Sequence, residues 1–422
     1  MLSFESPLQT IPERQCRFSL VYAFFVIYIL LGFYFYELLG LDFIDEALEL
    51  GLLAIGTIYL FENRFLRPSK VFYIWLFACV FYLFYSFIIH SNTAQAIIID
   101  LLVQIKPYVG FFIFYYLGVL FSKEKKKYLK FLLLGLIVLS ILVGVVGLLT
   151  GKLTFLLMTL YSHPSRYSSS LLLLALTFLF VSDWNKRTLL LFVFFMSFAL
   201  LSGKSKTFGW YVAILYVLML KYFHIRIQLN FKTILLLVLC VGLILFVSWE
   251  KFFFYFVDVN NDDKDALARP LLYLTSFRIF ADYFPFGSGL ASFATAASGS
   301  HYSNIYYEYE LDGIWGLQPS NPAFVTDTYY PSLAQYGIVG VILFVSFFYM
   351  IIKKVNEYKV QEHLFKYYFI VVSILLFFSI EFVADATFTN NKGFYCMMLI
   401  ALCMNEMRYE NRLERNNNHI DR

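Results

Sequence analysis

Apolar residues in this chain gather into long runs separated by short polar stretches, with one large exception between Tyr255 and Pro331. The runs at 18–39, 71–90, 96–121, 128–150, 232–254, 333–352 and 365–384 are each long enough to cross about 30 Å of hydrocarbon as helix. Shorter runs at 43–61, 167–182, 188–202, 207–223 and 391–405 span it if tilted or packed inside a bundle. The pattern predicts an all-α polytopic membrane protein with about twelve transmembrane helices and one large external loop between helices nine and ten. Residues 1–254 carry the first nine helices, 255–331 form the external loop, 332–405 carry the last three, and 406–422 read as a cytoplasmic disordered tail. No small-residue cleavage site follows the first run, which predicts that it is kept as a membrane span.

Composition agrees with the pattern: 60% hydrophobic residues, 15% charged and a mean hydropathy of +0.69 leave too little polar surface for a water-soluble domain. The basic residues alternate between loops, with Arg64, Arg67 and Lys70, then Lys123 to Lys130, Lys186 and Arg187, Lys353 and Lys354, and Arg408 to Arg415 all on one side. By the positive-inside rule that side is cytoplasmic, both termini lie there, and the polar segment 255–331 faces outward. The net charge of +4 then follows from topology, and no nucleic-acid partner is implied. The five cysteines form no CxxC pair, the histidines have no metal-binding spacing, and there is no nucleotide-binding glycine loop. Neither a metal site nor a cofactor is expected.

Basic residues on the outer side break the positive-inside trend. Arg166 ends the sequence Ser162-His163-Pro164-Ser165-Arg166, Lys204 and Lys206 lie in the turn Ser202 to Thr207, and Arg269 and Arg278 sit nine residues apart in the external loop. That spacing is two and a half helical turns, so the two arginines do not share one face closely. Lys152, Lys251 and Lys392 read instead as snorkelling side chains. Within the spans, Asp100 and Gln104 share a helix face. Lys106, beside Pro107, reads as lining an internal cavity, with a structural ion pair as the other reading. Glu381 and Asp385, four apart, also share a face. Asp327 stands where an acidic residue caps a helix starting near Tyr329, and Glu308 and Glu310 alternate with tyrosines.

The stretch Leu274 to Phe280, followed by Phe284-Pro285-Phe286-Gly287-Ser288-Gly289-Leu290 and on to Phe293, resembles the periplasmic loop of the O-antigen ligase and O-antigen polymerase (Wzy-type) superfamily. There a basic helix leads into a Pro-hydrophobic-Gly-x-Gly turn. Thr326 to Leu333, ending in Tyr336-Gly337-Ile338-Val339-Gly340, is similar to the family segment that re-enters the membrane, and the Ser202 to Thr207 turn resembles a family turn with Lys206 where arginine is common. Ligases of the family carry a His-Asn pair where this chain has Thr326 and Asp327, so the resemblance favours a polymerase.

The resemblance implies a metal-independent glycosyltransferase in the bacterial cytoplasmic (inner) membrane that makes O-antigen, capsule or other polysaccharide. Its substrate would be an undecaprenyl-diphosphate-linked oligosaccharide, with no cofactor and with a chain-length-regulating membrane protein as a partner. Arg166, Lys204, Lys206, Arg269 and Arg278 would bind the diphosphate. Asp327 would accept the acceptor hydroxyl proton, with Glu308 and Glu310 as substitutes. An O-antigen ligase, which asks for an external histidine such as His301, and a lipid-linked oligosaccharide flippase are the alternatives.

Overall fold

The computed structural model describes residues 19–40, 44–62, 68–222, 264–358 and 364–420. Among them the only β feature is an isolated bridge between Gln318 and Asn321. The helices are α1 (Ser19–Ile27, continued as a π-helix to Tyr34), α2 (Tyr36–Leu39), α3 (Ile44–Phe61), α4 (Lys70–Ile88), α5 (Ala94–Leu117), α6 (Lys123–Leu149), α7 (Leu153–Tyr161) and α8 (Pro164–Val181). They continue with α9 (Lys186–Ser197), α10 (Ser205–Tyr222), α11 (Lys264–Asp282), α12 (Ala296–Ser300), α13 (Asn304–Glu308), α14 (Gly337–Tyr358), α15 (Phe365–Glu381) and α16 (Asn391–Ile420). Among the described residues, α4, α5, α6, α8 and the stretch Tyr330–Tyr358 are long and apolar enough to cross a membrane. The run at 232–254 and the start of the external loop, 255–263, lie outside the described residues.

Helix starts follow the side chains that satisfy free backbone donors. Thr93 accepts from Ala96 N at 3.3 Å to open α5, Ser122 accepts from Lys125 N at 3.3 Å to open α6, and Asn185 accepts from Thr188 N at 2.9 Å to open α9. Helix α8 is the centre of the bundle: 89% of its apolar window is buried, against 17% for α4, which turns most of its surface outward. Helix α5 packs along α16, where Gly110 lets the Phe394 ring and Met398 approach its backbone. Asn405 Nδ2 donates to Phe114 O at 2.9 Å and to Val119 O at 3.4 Å, satisfying carbonyls around the α5 terminus.

Where the sequence suggests a disordered tail from 406, α16 continues as helix to Ile420. Contacts beyond the apolar run hold the first of these residues. Met407 is buried, Glu406 lies 2.8 Å from Lys126 Nζ on α6, and Tyr367 OH donates to Glu406 at 3.3 Å. Lys106 is also resolved as an ion pair. It is buried on α5 with its Nζ 3.5 Å from Glu46, as the structural alternative expects.

The segment after Lys264 is more than a polar loop, because it builds a small core of its own. Ala268, Leu272 and Ile279 on α11 face Phe293, Tyr306, Leu317 and Val325. These residues are too scattered in the chain to stand out as an apolar run. The turn between α4 and α5, with the helix ends beside it, holds this unit. Ser86 Oγ accepts from Leu290 N at 2.8 Å, Ser91 Oγ donates to Leu290 O at 2.7 Å, Asn92 Nδ2 donates to Ala291 O at 2.7 Å, and buried Asp100 accepts from Ala291 N at 2.7 Å.

Candidate functional site

Three helices begin at one place, and each has a cation in its first turn: Arg166 on α8, Lys206 on α10 and Lys392 on α16. Their starts are locally specified. Pro164 occupies the first turn of α8 and His163 Nδ1 accepts from Ser165 N at 3.2 Å. Gly203, at φ 62°, makes the turn into α10, and Thr207 Oγ1 ties that helix to α8 through Ser168 Oγ at 3.0 Å. Asn390 accepts from Lys392 N at 2.9 Å at the head of α16.

A cation at the positive end of a helix dipole is unfavourable, and this site has three. Two carboxylates from the end of α15 offset part of the charge. Lys206 Nζ lies 2.7 Å from Glu381 Oε2 and 3.3 Å from Asp385 Oδ2, and Lys392 Nζ lies 2.8 Å from the same Asp385 oxygen. Helix α15 ends at Glu381, so Asp385 reaches the site from the following turn and not from the helix face that its spacing suggested. Burial raises the carboxyl of Asp385, but Lys392 and Lys206 outweigh it and hold the group well below the usual carboxylate range. Lys392 is almost wholly buried in this network, which corrects the snorkelling reading.

Asp327 stands beside this network, in the turn before the 3₁₀-helix Tyr330–Tyr336. That helix has no side-chain cap, so Asp327 is not the capping residue; it is bound by Arg269, with Nε at 3.1 Å and an Nη at 2.8 Å from Oδ2. Burial raises the Asp327 carboxyl above its ordinary value, and Arg269 pulls the other way. Asp385 adds to the rise and Lys206 opposes it, which places Asp327 within electrostatic reach of the Lys206 network. His163 feels Lys204, Lys206 and Lys392; burial and these cations push it down to about 4, so it is neutral at physiological pH.

The structure therefore brings together Arg166, Lys204, Lys206, Arg269 and Asp327, and adds Lys392, Glu381 and Asp385. Among the described residues of the site, cations outnumber carboxylates, and Glu381, fully buried, keeps Oε1 without a hydrogen-bond partner. Arg278 is elsewhere. Half a turn out of phase with Arg269 on α11, it is exposed, and the charges that weigh most on Asp327 do not include it. Glu308 and Glu310 lie in a second polar region, both exposed. There Glu308 accepts from Tyr283 OH at 3.0 Å and Asp282 accepts from Tyr309 OH at 2.7 Å. His301 is neither in the network nor near Asp327 by any of these interactions; its Nδ1 meets Ser300 Oγ at 3.3 Å.

The two glycine motifs meet in space. Gly287 (φ 82°) and Gly337 (φ 57°) lie backbone to backbone, so tightly that a Cβ on either would strike the other's main chain. Gly289 N donates to Gln335 O at 2.9 Å, Tyr82 OH to Tyr336 O at 2.6 Å and Tyr85 OH to Gly287 O at 2.9 Å. This joint fixes the 3₁₀-helix that follows Asp327, and Tyr329 N donates to Phe382 O at 3.0 Å, next to Glu381. The chain matches no protein-family model and no curated protein.

Proposed function

We propose that this protein is a polysaccharide repeat-unit polymerase with about twelve spans, working on the outer face of a bacterial cytoplasmic membrane with both termini inside. It joins one lipid-diphosphate-linked glycan to the nonreducing end of another. The observation that carries this reading is the gathering of cations at three helix N-termini beside one partly buried carboxylate, Asp327. A diphosphate is the kind of anion such a site favours, because helix N-termini and basic side chains both stabilise it.

The reaction follows from that arrangement. The acceptor hydroxyl oxygen attacks the donor anomeric carbon, the bond from that carbon to the diphosphate breaks, and the proton passes to Asp327. Both Arg269 bonds go to Oδ2, and on this reading Oδ1 takes the hydroxyl proton. A carboxyl raised above its ordinary value is a better base than a solvated aspartate. The electron pair leaves on the diphosphate, where Arg166, Lys204 and Lys206 oppose the growing charge, and a contact of this kind is worth about a hundredfold in rate.

The test is stoichiometric. In proteoliposomes holding a lipid-linked repeat unit and no nucleotide, each bond formed releases one polyprenyl diphosphate, measured by chromatography. Release in step with glycan growth is expected. Movement of the intact lipid across the bilayer with no release would replace the polymerase with a flippase.

A further inference from the structure

Beneath the 3₁₀-helix Tyr330–Tyr336 lies a cavity of about 370 Å³ between α4, α5 and α14. Its lining is almost entirely apolar and aromatic, including Trp75, Tyr82, Tyr108, Tyr336, Phe344 and Phe347, with Gln104 as a polar exception. That size and character are those of a ligand pocket, larger than the gaps left by imperfect packing. Two of its edges, Ile74 on α4 and Ile342 on α14, are 38% and 56% exposed. They lie on helices long enough to cross a membrane, and on the membrane reading the mouth opens sideways into hydrocarbon. Only a molecule already in the bilayer enters that way.

The inner end of the cavity adjoins the charged site. Tyr329 lines the cavity, lies two residues beyond Asp327 and donates from its backbone to Phe382 O, next to Glu381. Its ring packs on Phe344 at 5.8 Å and on Phe388 at 5.4 Å, so the same aromatic layer walls the cavity and backs the turn that carries Asp385. A phospholipid seated here would bring its headgroup against the polymerase site. A lipid whose head belongs at that site would not compete with it.

We propose that this cleft takes the polyprenyl chain of the lipid-linked substrate, an assignment that rests on the polymerase reading above. The ring-rich lining suits the methyl-branched, unsaturated isoprenoid, whose flat sp² carbons lie against aromatic faces. Occupation of the cleft presses on Tyr329 and so couples chain binding to the placement of Asp327.

The test uses the full chain in phosphatidylcholine nanodiscs with a polyprenyl diphosphate bearing a diazirine on its chain. After illumination, labelled peptides are mapped by mass spectrometry, and polymer formation from a lipid-linked repeat unit is followed in parallel. Label is expected within Trp75–Tyr82 and Ile342–Met350. Ala78→Phe and Ser346→Phe, which fill the cleft from opposite helices, are each expected to lower it by about tenfold, the loss of roughly two buried methylenes. Excess dipalmitoyl phosphatidylglycerol is expected to leave it unchanged. Label confined to other segments, or displaced as well by the acyl lipid, overturns the assignment, and the unsubstituted protein decides this even if a variant misfolds. Polymer without label in the cleft rejects the cleft alone; label there without polymer upholds the cleft and rejects the polymerase.

Discussion

Lys206 Nζ lies 2.7 Å from Glu381 Oε2, joining the first turn of α10 to the last residue of α15 across 175 positions of sequence. Glu381 is fully buried and Lys206 is only 15% exposed, so neither charge has water to fall back on. Removing one partner strands the other. Lys206→Met is therefore expected to destabilise the fold by about 3–5 kcal/mol. Lys206→Met combined with Glu381→Gln is expected to recover much of that loss without recovering activity. Denaturation midpoints in detergent check both, and equal midpoints for the single and double variants would show that the pair is not coupled.

On the proposed mechanism, Asp327 sets the pH dependence. Burial raises its carboxyl, so the base is lost as pH falls through a value above the ordinary aspartate pKa of about 3.9. The rate should show an acid limb, and Asp327→Asn should lose both that limb and about 10²- to 10⁴-fold in rate. For stability the sign is the opposite. A carboxyl raised in the folded state contributes fully below its unfolded pKa, and that contribution is lost as pH rises through the folded value. A pH–rate series on both proteins checks the first point.

His163 gives a contrasting expectation. Held at about 4 by burial and by Lys204, Lys206 and Lys392, it stays neutral from pH 5 upward. His163→Gln should leave the shape of the pH–rate profile unchanged in that range, even if its loss as the α8 cap lowers the absolute rate. An inflection near pH 6.5 that disappears in the variant would contradict this.

The joint between the glycine motifs should be intolerant of any side chain. Gly287→Ala places a methyl group against Gly337 N and Ala334 O at a φ of 82° that alanine disfavours, so a cost of about 1–3 kcal/mol from backbone strain alone is expected. Limited proteolysis of the 290–330 region is expected to speed up. Gly313→Ala, where nothing lies within 4 Å of the added carbon, is the control and should behave like the parent.

Much of the bundle was legible because long apolar runs are a local signal, and α4, α5, α6, α8 and Tyr330–Tyr358 lie close to the runs that predicted them. Arg269, Asp327, Lys204 and Lys206 stood out as charged residues in segments that the charge pattern assigns to the outer side. Lys392 did not, because what sets it apart is Asp385 on the preceding turn together with Lys206 from a distant helix, and no local pattern records that meeting. Arg278 was legible as a cation, but its phase on α11 points it away from Arg269. The core of the unit after Lys264 was hidden for a similar reason. Ala268, Phe293, Leu317 and Val325 are apolar singly and become a core only when the chain folds back on α11.

The most direct measurement is a gel of glycan products made by the purified protein from a lipid-linked repeat unit without nucleotide, run beside Asp327→Asn and Lys206→Arg. A ladder from the parent protein is expected, absent with Asp327→Asn and weakened but present with Lys206→Arg, which keeps the charge. A ladder of undiminished strength from Asp327→Asn, or none from a folded parent protein, would contradict the account.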